Sequence, residues 1–261
     1  MRDILEDAQK HIQDGYGRAQ AHEKRVLPKR FYKNVEIKQI ENGFTILLDG
    51  RGVKTPSKKD LIVPNNALAK ELAIEWQAQE REIDASKMPS TRLVNSALEG
   101  DENIEEALRD EIIKYASSDL LLYRANSPNG LVQAQEQHWD SALNVLAQKF
   151  AVKFLPTIGI VHQEQPEKTL ECLKISLEKE DSFILSALML ITSLTGSGLL
   201  AIAIFNELIN ADAAWSAAHV DEDYSNRVWG EDSEAMLRRT KRRIDFDSAV
   251  RLLALLGADA V

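Results

Sequence analysis

The sequence predicts an α+β fold, with a small N-terminal antiparallel β-meander and covering helix, followed by a mainly α-helical, orthogonal-bundle C-terminal domain. Two observations predict it. Short β-type runs separated by turn residues fill residues 31–63, and from about residue 96 apolar residues recur at helical spacing. We therefore expect an N-terminal α/β domain over residues 1–95 and a C-terminal all-helical domain over residues 96–261.

Turn residues divide the β-type region into short strands. Asn42-Gly43 is the strongest short hairpin dipeptide, and the turn at Asp49–Gly52 precedes a strand that Pro56 ends. Asn65 is suited to cap a helix that runs to about Glu82 and covers the apolar face of the sheet. The predicted strands are 35–40, 44–48, 53–55 and 61–63.

The remainder of the chain shows helical periodicity with one exception. Residues 154–161 contain Pro156 and Gly159, which favour an extended connection. Thr195-Gly-Ser-Gly198 predicts a tight break between two buried helices. The predicted helices are 101–115, 131–150, 166–178, 181–194, 198–210, 211–219, 231–243 and 246–256.

Charge and cysteine content exclude several classes of protein. The chain has 41 acidic and 32 basic residues, a net charge of −9, which is the wrong sign for a general nucleic-acid binder. Its single cysteine, Cys172, excludes a disulfide framework and a cysteine-based zinc cluster. Residues 1–15 have no signal-peptide core and too many acids for a transit peptide, so we expect a cytoplasmic protein. A short amphipathic helix is expected around residues 4–12, and the basic cluster at residues 24–30 is expected to be a solvated linker.

The segment from Phe183 to Phe205 contains 23 residues without a charge, which is long enough to cross a bilayer. Its polar residues and the break at Thr195–Gly198 favour a buried helical core instead, and its flanks lack a basic bias. We therefore expect no stable membrane insertion. A membrane-associated helical protein remains the alternative interpretation.

No reaction motif is present, so we expect no catalytic residue, no metal site and no cofactor. The glycine-rich run at 195–198 lacks the lysine of a phosphate loop, and there is no Gly-x-Ser-x-Gly pentapeptide. No two histidines have the spacing of a helical zinc site. An enzyme whose site is assembled from residues distant in sequence remains a second alternative.

Two charged runs have simple structural interpretations. His219–Asp223 offers an imidazole and three carboxylates but lacks the spacing of a calcium loop, so we expect an exposed acidic turn between helices. The basic run 238–243 follows acids at the start of the same predicted helix, as the helix dipole favours. Glu234 is one turn from Arg238 and is expected to pair with it.

A series of sequence blocks follows a fixed order from about residue 30 to residue 250. The blocks are Arg30-Phe-Tyr-Lys33, Leu48-Asp-Gly-Arg51, Val53-Lys-Thr-Pro56, Leu68-Ala69, Glu75-Trp76 with Gln79, Met88-Pro89, Thr91-Arg-Leu93, Asp119-Leu-Leu-Leu-Tyr-Arg124, His138-Trp-Asp140, Leu194-Thr-Gly-Ser197, and Trp229-Gly230 with Asp232 and Glu234-Ala235. Together they resemble the ATP synthase α-subunit assembly chaperone family of mitochondria and alphaproteobacteria. The resemblance implies a non-enzymatic chaperone that binds the free α-subunit of the F-type ATP synthase until it assembles with β. Since we expect no transit peptide, we expect a bacterial cytoplasmic member of the family, and a monomer.

The resemblance also implies partner-binding residues. The acidic position important to the family follows the Trp-Gly pair, and Glu234 is the best match, with Glu231 and Asp232 as alternatives. We expect these carboxylates to pair with basic groups on the α-subunit, unless Glu234 serves only its helical pair with Arg238. Arg51 is a further interface candidate, although it most simply helps to build a turn. The tryptophans are expected in the core: Trp76, Trp139, Trp215 and Trp229.

Overall fold

The computed structural model describes residues 27–257. The helix expected around residues 4–12 lies outside the described residues, as does part of the basic cluster at 24–30. Within the described part, a small antiparallel sheet precedes a helical region, which confirms the predicted fold class.

The sheet is organised around one central strand. Its strands are β1 (Val35–Ile40), β2 (Gly43–Leu48), β3 (Arg51–Gly52) and β4 (Ile62–Val63). β1 pairs along one edge of β2, while β3 and β4 share the other edge, all of them antiparallel. The predicted hairpin is confirmed, but its two turn residues are Glu41 and Asn42, one position earlier than expected, because Gly43 (φ 135°) already pairs with Ile40 as the first residue of β2.

The third strand differs from its prediction. Asp49 and Gly50 both have positive φ angles, 47° and 81°, so a two-residue turn reverses the chain and pairing resumes at Arg51 rather than at Val53. Residues 53–55 continue with single contacts, including the Val53 N–H donating to the Ile46 carbonyl at 2.9 Å. The strand predicted at 53–55 is therefore shifted towards the N-terminus.

Helix α1 (Asn66–Gln77) covers the sheet, as predicted. Asn65 caps it by accepting a hydrogen bond from the Leu68 N–H at 2.8 Å. The helix ends five residues before the predicted Glu82, because the Gln79 side chain folds back to the Glu75 carbonyl and also accepts from the Asp84 N–H at 2.8 Å. These contacts replace the continuing helical ladder.

The helices after α1 form most of the described chain. They are α2 (Pro89–Glu99), α3 (Ile104–Ser117), α4 (Asn129–Gln135), α5 (Ser141–Phe150), α6 (Glu167–Ile175), α7 (Ser182–Thr195), α8 (Gly198–Phe205), α9 (Ala211–Ala218), α10 (Val220–Trp229) and α11 (Ser233–Gly257). A π-helical turn at Glu136–Asp140 joins α4 to α5. The two most apolar helices, α7 and α8, lie in the core, and no helix in residues 27–257 is long and apolar enough to cross a membrane.

Three helical predictions are corrected. Helix α2 was not predicted, and α11 is one continuous helix where two were expected at 231–243 and 246–256. The acidic run expected as a turn instead begins α10, because Asp221, Glu222 and Asp223 occupy the first helical turn, where the helix dipole favours negative charge.

Residues 154–161 are extended in part, as expected, and contribute a short strand. β6 (Thr157–Ile158) runs parallel to β5 (Tyr123–Arg124) and forms a separate two-stranded sheet with it.

Helix α11 ties the helical region to the N-terminal part. Asp245 forms an ion pair with Arg92 of α2, and the Ser248 and Ser90 hydroxyls lie 3.0 Å apart. Near the end of α11, the Leu255 carbonyl accepts a hydrogen bond from the Asn65 side chain at 2.8 Å. Helix α2 runs through residue 95, where the domain boundary was predicted, and it packs on α11 of the helical region. The division into two domains at that residue stays a prediction.

Candidate functional site

Two of the sequence blocks that carry the family resemblance meet in the core at Asp119. One carboxylate oxygen of Asp119 accepts from the Ser197 hydroxyl at 2.9 Å and the Leu199 N–H at 3.0 Å, and the other accepts from the Leu121 N–H at 3.1 Å. Burial raises the pKa of the Asp119 carboxyl to about 7, against the lowering effect of hydrogen bonds from Leu199, Ser197, Leu121 and Gly198. The carboxylate thus joins the turn before β5 to the start of α8.

The glycine-rich run at 195–198 forms the predicted break between buried helices. Gly196 ends α7 with a φ of 71°, and Ser197 caps α8 by accepting from the Leu200 N–H. At Gly198, α8 lies so close to α3 that a Cβ atom on this residue would be 2.4 Å from the Ile112 carbonyl oxygen. The interpretation as a packing break is confirmed.

Glu75 joins two further sequence blocks in the core. Its carboxylate accepts from the Ser90 N–H at 2.7 Å, the Thr91 N–H at 2.8 Å and the Thr91 hydroxyl at 2.7 Å, which are groups at the start of α2. Burial raises the pKa of the Glu75 carboxyl, while these hydrogen bonds lower it. Glu75 therefore caps α2 from α1.

The N-terminal blocks also have structural roles. Asp49 accepts from the Lys33 and Asn34 N–H groups at 3.0 and 2.9 Å, and these bonds lower the pKa of its carboxyl. The Tyr32 hydroxyl donates to the Trp76 carbonyl at 2.7 Å. Most residues that carry the resemblance thus hold the fold together.

One exposed part of the resemblance lies where α10 leads into α11; we call residues 228–238 the acidic elbow. Trp229 is 86% exposed at its apex, so the expectation that this tryptophan lies in the core is wrong. Gly230, with a φ of 92°, ends α10 and the chain turns at once into α11, which leaves Trp229 without covering residues. The other tryptophans follow the expectation, with Trp139 and Trp215 buried and Trp76 half-buried.

Apolar and acidic side chains both lie exposed on the acidic elbow. Val228 and Leu237 are exposed, and so are Glu231, Asp232 and Glu234. The elbow therefore combines an apolar surface with carboxylates that follow Trp229 directly in the chain.

Side-chain contacts fix the elbow from within. Asp223 of α10 forms an ion pair with Arg239 of α11, with a second contact at 3.1 Å between Oδ2 and Nη2. Asp232 accepts from the Glu234 N–H at 2.9 Å and so caps the start of α11. These contacts therefore fix α10 and α11 relative to each other at the elbow.

The predicted pair between Glu234 and Arg238 is present, with 2.6 Å between Oε1 and Nη1. Both side chains are mostly exposed, so the pair itself stabilises the fold little. Within residues 27–257, the Glu231 carboxylate forms no side-chain hydrogen bond or ion pair. In the same part of the chain, no such contact joins Arg51 to the elbow. Arg51 is exposed on β3.

A metal site at the start of α10 is not formed. The His219 ring is buried, with Nδ1 2.8 Å from the Trp215 carbonyl oxygen, and desolvation lowers its pKa. Over residues 27–257, no three histidine, cysteine or acidic side chains group as metal ligands would.

Fold and surface define the class: an α+β protein with a mainly helical C-terminal region, whose candidate site is the exposed acidic elbow. A family model described as ATP12 chaperone protein matches residues 29–147. The curated mitochondrial protein atp12 of Schizosaccharomyces pombe is 26% identical over 215 residues, covering 77% of this chain and 74% of the relative.

Solved structures agree over more of the chain. A candidate chaperone from Agrobacterium tumefaciens is 40% identical, with a TM-score of 0.85 over 98% of this chain and 97% of that one. Atp12 from Paracoccus denitrificans is 34% identical, with a TM-score of 0.82 over 87% of this chain and 98% of its own. The chain belongs to the ATP12 chaperone family, which confirms the resemblance.

Proposed function

We propose that this chain holds the free α-subunit of the F-type ATP synthase until it assembles with β, and that the acidic elbow contacts that subunit. Membership of the ATP12 chaperone family supports a role in ATP synthase assembly. The choice of the α-subunit rests on the sequence resemblance. We further propose a monomeric, non-enzymatic protein of the bacterial cytoplasm. The bacterial sources of two relatives of known structure support the bacterial setting, and the other points rest on the expectations from the sequence.

The observation that carries the proposal is the exposure of Trp229 beside acidic residues. Exposed tryptophans are frequent energetic centres of protein interfaces, and contiguous exposed apolar side chains mark binding surfaces. Leu237 and Val228 enlarge the apolar surface. An unassembled subunit exposes surfaces meant for its neighbours, and a chaperone that covers them needs complementary apolar groups.

The carboxylates supply orientation to this interaction. Glu231, Asp232 and Glu234 are exposed, so they attract basic groups of a partner over a range of about 10 Å at moderate salt. Their charge favours the encounter and the register of the complex, while the apolar contacts hold it. A polar rim also permits release when β competes for the subunit.

The proposal is tested by co-purification of this chain with the ATP synthase α-subunit from the same source, with β added as competitor. The variants are Trp229→Ala and Glu234→Lys. Asp60→Lys is the matched control, because it makes the same charge change and breaks an exposed ion pair, Lys54–Asp60, on the sheet.

We expect a stoichiometric complex that β displaces, bound at least tenfold more weakly by both elbow variants and normally by Asp60→Lys. Thermal stability should be unchanged in Glu234→Lys, because an exposed helical pair is worth only about 0.3–0.5 kcal/mol. If Glu234→Lys binds the α-subunit as tightly as the wild type does, the role of Glu234 is limited to its helical ion pair with Arg238. Absence of any complex with folded α-subunit would refute the proposed function.

A further inference from the structure

A groove of about 750 Å³ lies at the C-terminal end of α11, in a different part of the molecule from the acidic elbow. Its walls are the start of α7, the end of α8 with the connection to α9, and the last two turns of α11. Val250 of the groove and Glu234 of the elbow lie on the same helix, roughly 24 Å apart at about 1.5 Å per residue. The groove is therefore a second surface and not an extension of the elbow.

The groove is lined mainly by apolar side chains that are half-buried. Phe205 and Ile209 belong to the wall formed by the end of α8 and its connection to α9, and Val250 and Leu253 belong to α11. One side of each packs against the hydrophobic core, and the other side lies open to the groove. Ala254 shares a helix face with Val250, and its small side chain leaves space that a larger residue would fill. The result is an apolar groove that stays open within the described part of the chain.

The charged residues of the groove are acidic. Glu180 and Glu207 line it, and no basic residue does so among residues 27–257. Within the same part of the chain, neither carboxylate forms a side-chain hydrogen bond or an ion pair. Burial and the neighbouring Asp181 raise the pKa of the Glu180 carboxyl, because both oppose its ionised form. A basic group of a partner would offset both effects, so the groove favours a basic occupant.

The backbone at Glu207 adds a second observation. Its φ angle is 56°, in the left-handed region that glycine and asparagine adopt most readily. The Glu207 N–H donates to the Ile204 carbonyl at 2.9 Å as the chain leaves α8, and the side chain is exposed at the rim of the groove. Asparagine would suit this backbone at least as well, so the fold itself does not need the carboxylate.

The walls of the groove are fixed by contacts outside it. Asp181 caps α7 by accepting from the Ile184 N–H at 3.0 Å, and Asn210 caps α9. Asp212 of α9 forms an ion pair with Arg243 of α11. An occupant would therefore meet a groove that is already formed, at a low cost in ordering.

We propose that this groove binds an amphipathic helix of a client polypeptide whose apolar stripe is flanked by basic residues. The stripe packs on Phe205, Val250 and Leu253, as an apolar helix face does in other helix-binding grooves. Its basic side chains pair with Glu180 and Glu207. The proposal rests on the chaperone role of the chain but not on the choice of the α-subunit as its client, nor on the elbow.

Other occupants fit the charge of the groove less well. A second copy of this chain carries a net charge of −9, so two copies repel each other. Residues 1–15, which hold the helix expected from the sequence, contain four acids and two bases, and residues 258–261 contain Asp259 and no base. A basic client is therefore the occupant that the groove favours.

The test measures binding of fluorescein-labelled peptides of about 16 residues to the full chain by fluorescence anisotropy. The first peptide has leucines at helical spacing i, i+3, i+4, i+7, with lysines and glutamines elsewhere. The second has the same composition in scrambled order, so it lacks the stripe, and the third has glutamates in place of the lysines.

Three variants change the groove, and each leaves the core intact. Glu180→Gln and Glu207→Asn each remove one charge, and Ala254→Arg places a large basic side chain in the groove from an exposed position. The matched controls are Glu36→Gln, at an exposed glutamate on β1, and Ala107→Arg, at an exposed alanine on α3.

We expect the first peptide to bind at least tenfold more tightly than the other two, and at least tenfold more weakly to Ala254→Arg. Glu180→Gln and Glu207→Asn should each weaken binding about threefold to fivefold, and the controls should bind as the wild type does. The melting temperature of Glu207→Asn should be no lower than that of the wild type, so its loss of binding cannot come from a loss of folding.

Equal affinity for the three peptides, or wild-type binding by Ala254→Arg, would overturn the proposal. So would a wild-type chain that ignores the peptides, including the case in which sedimentation shows a dimer that Ala254→Arg dissociates, because a second copy would then occupy the groove. Each of these results is independent of whether the α-subunit co-purifies with the chain.

Discussion

Replacing Asp119 with asparagine tests whether the sequence blocks around it hold the core. The wild-type carboxylate accepts hydrogen bonds of 2.9–3.1 Å from the Leu121 N–H, the Leu199 N–H and the Ser197 hydroxyl. Asparagine has nearly the same volume but only one acceptor oxygen. Its amide nitrogen must therefore face a buried donor, whichever way the side chain is turned.

The size of the effect follows from counting these unmet donors. If the asparagine oxygen takes the position that serves Ser197 and Leu199, the Leu121 N–H loses its acceptor and faces an N–H group. A buried donor without a partner costs about 1–3 kcal/mol, and here two donors oppose each other. We therefore expect Asp119→Asn to lower the free energy of unfolding by about 2–6 kcal/mol.

The assay is urea unfolding followed by far-UV circular dichroism at about pH 5, where the folded wild-type carboxyl, with its pKa of about 7, is protonated and its burial costs little charge desolvation. The m-value should remain that of the wild type, since the fold is the same. Asp60→Asn, at an exposed site, is the control and should change stability by less than about 0.5 kcal/mol. A free energy of unfolding for Asp119→Asn within about 0.5 kcal/mol of wild type would refute the reasoning.

Three further outcomes are expected from the same core. Because burial raises the pKa of Asp119 to about 7, folding retains its proton, and stability from this group is lost as pH rises from about 4 to 7. Wild-type stability relative to Asp119→Asn should therefore grow on acidification, by up to about 1.4 kcal/mol per pH unit, and a pH-independent difference in urea titrations would contradict this. Gly198→Ala should lower stability by about 3 kcal/mol, read as a melting temperature reduced by roughly 6–12 °C, since its Cβ would strike the Ile112 carbonyl; an unchanged melting temperature would contradict the close approach. Glu75→Gln should cost about 2 kcal/mol in urea unfolding, because one acceptor for the start of α2 is lost, whereas wild-type stability would show that this cap is dispensable.

The features predictable from the sequence are those that single residues impose on the backbone. The first hairpin and the break at Thr195–Gly198 both form as predicted, because Gly43 and Gly196 adopt positive φ angles, 135° and 71°, that other residues resist. The pair between Glu234 and Arg238 is likewise determined by spacing on one helix. Local rules suffice for these features.

The features that local rules missed depend on distant partners. Helix α11 continues through residues 244–245 because Asp245 pairs with Arg92 and Phe246 is buried, neither of which the local pattern reveals. Helix α2 begins at Pro89 because Glu75 caps it from another helix. The exposure of Trp229 is the most consequential miss, since tryptophan is usually buried. The available signal was Gly230, which follows it and ends α10.

The same contrast explains what family resemblance can and cannot establish about the site. Asp119, Ser197 and Glu75 belong to the matching blocks, and each has a buried structural role in this fold. Similarity at such positions is therefore an argument for the fold. Exposed side chains of the acidic elbow that form no cap or ion pair, such as Trp229 and Glu231, have no comparable structural role. Variants confined to such exposed positions, with the core left intact, are consequently the ones that separate binding from folding in this protein.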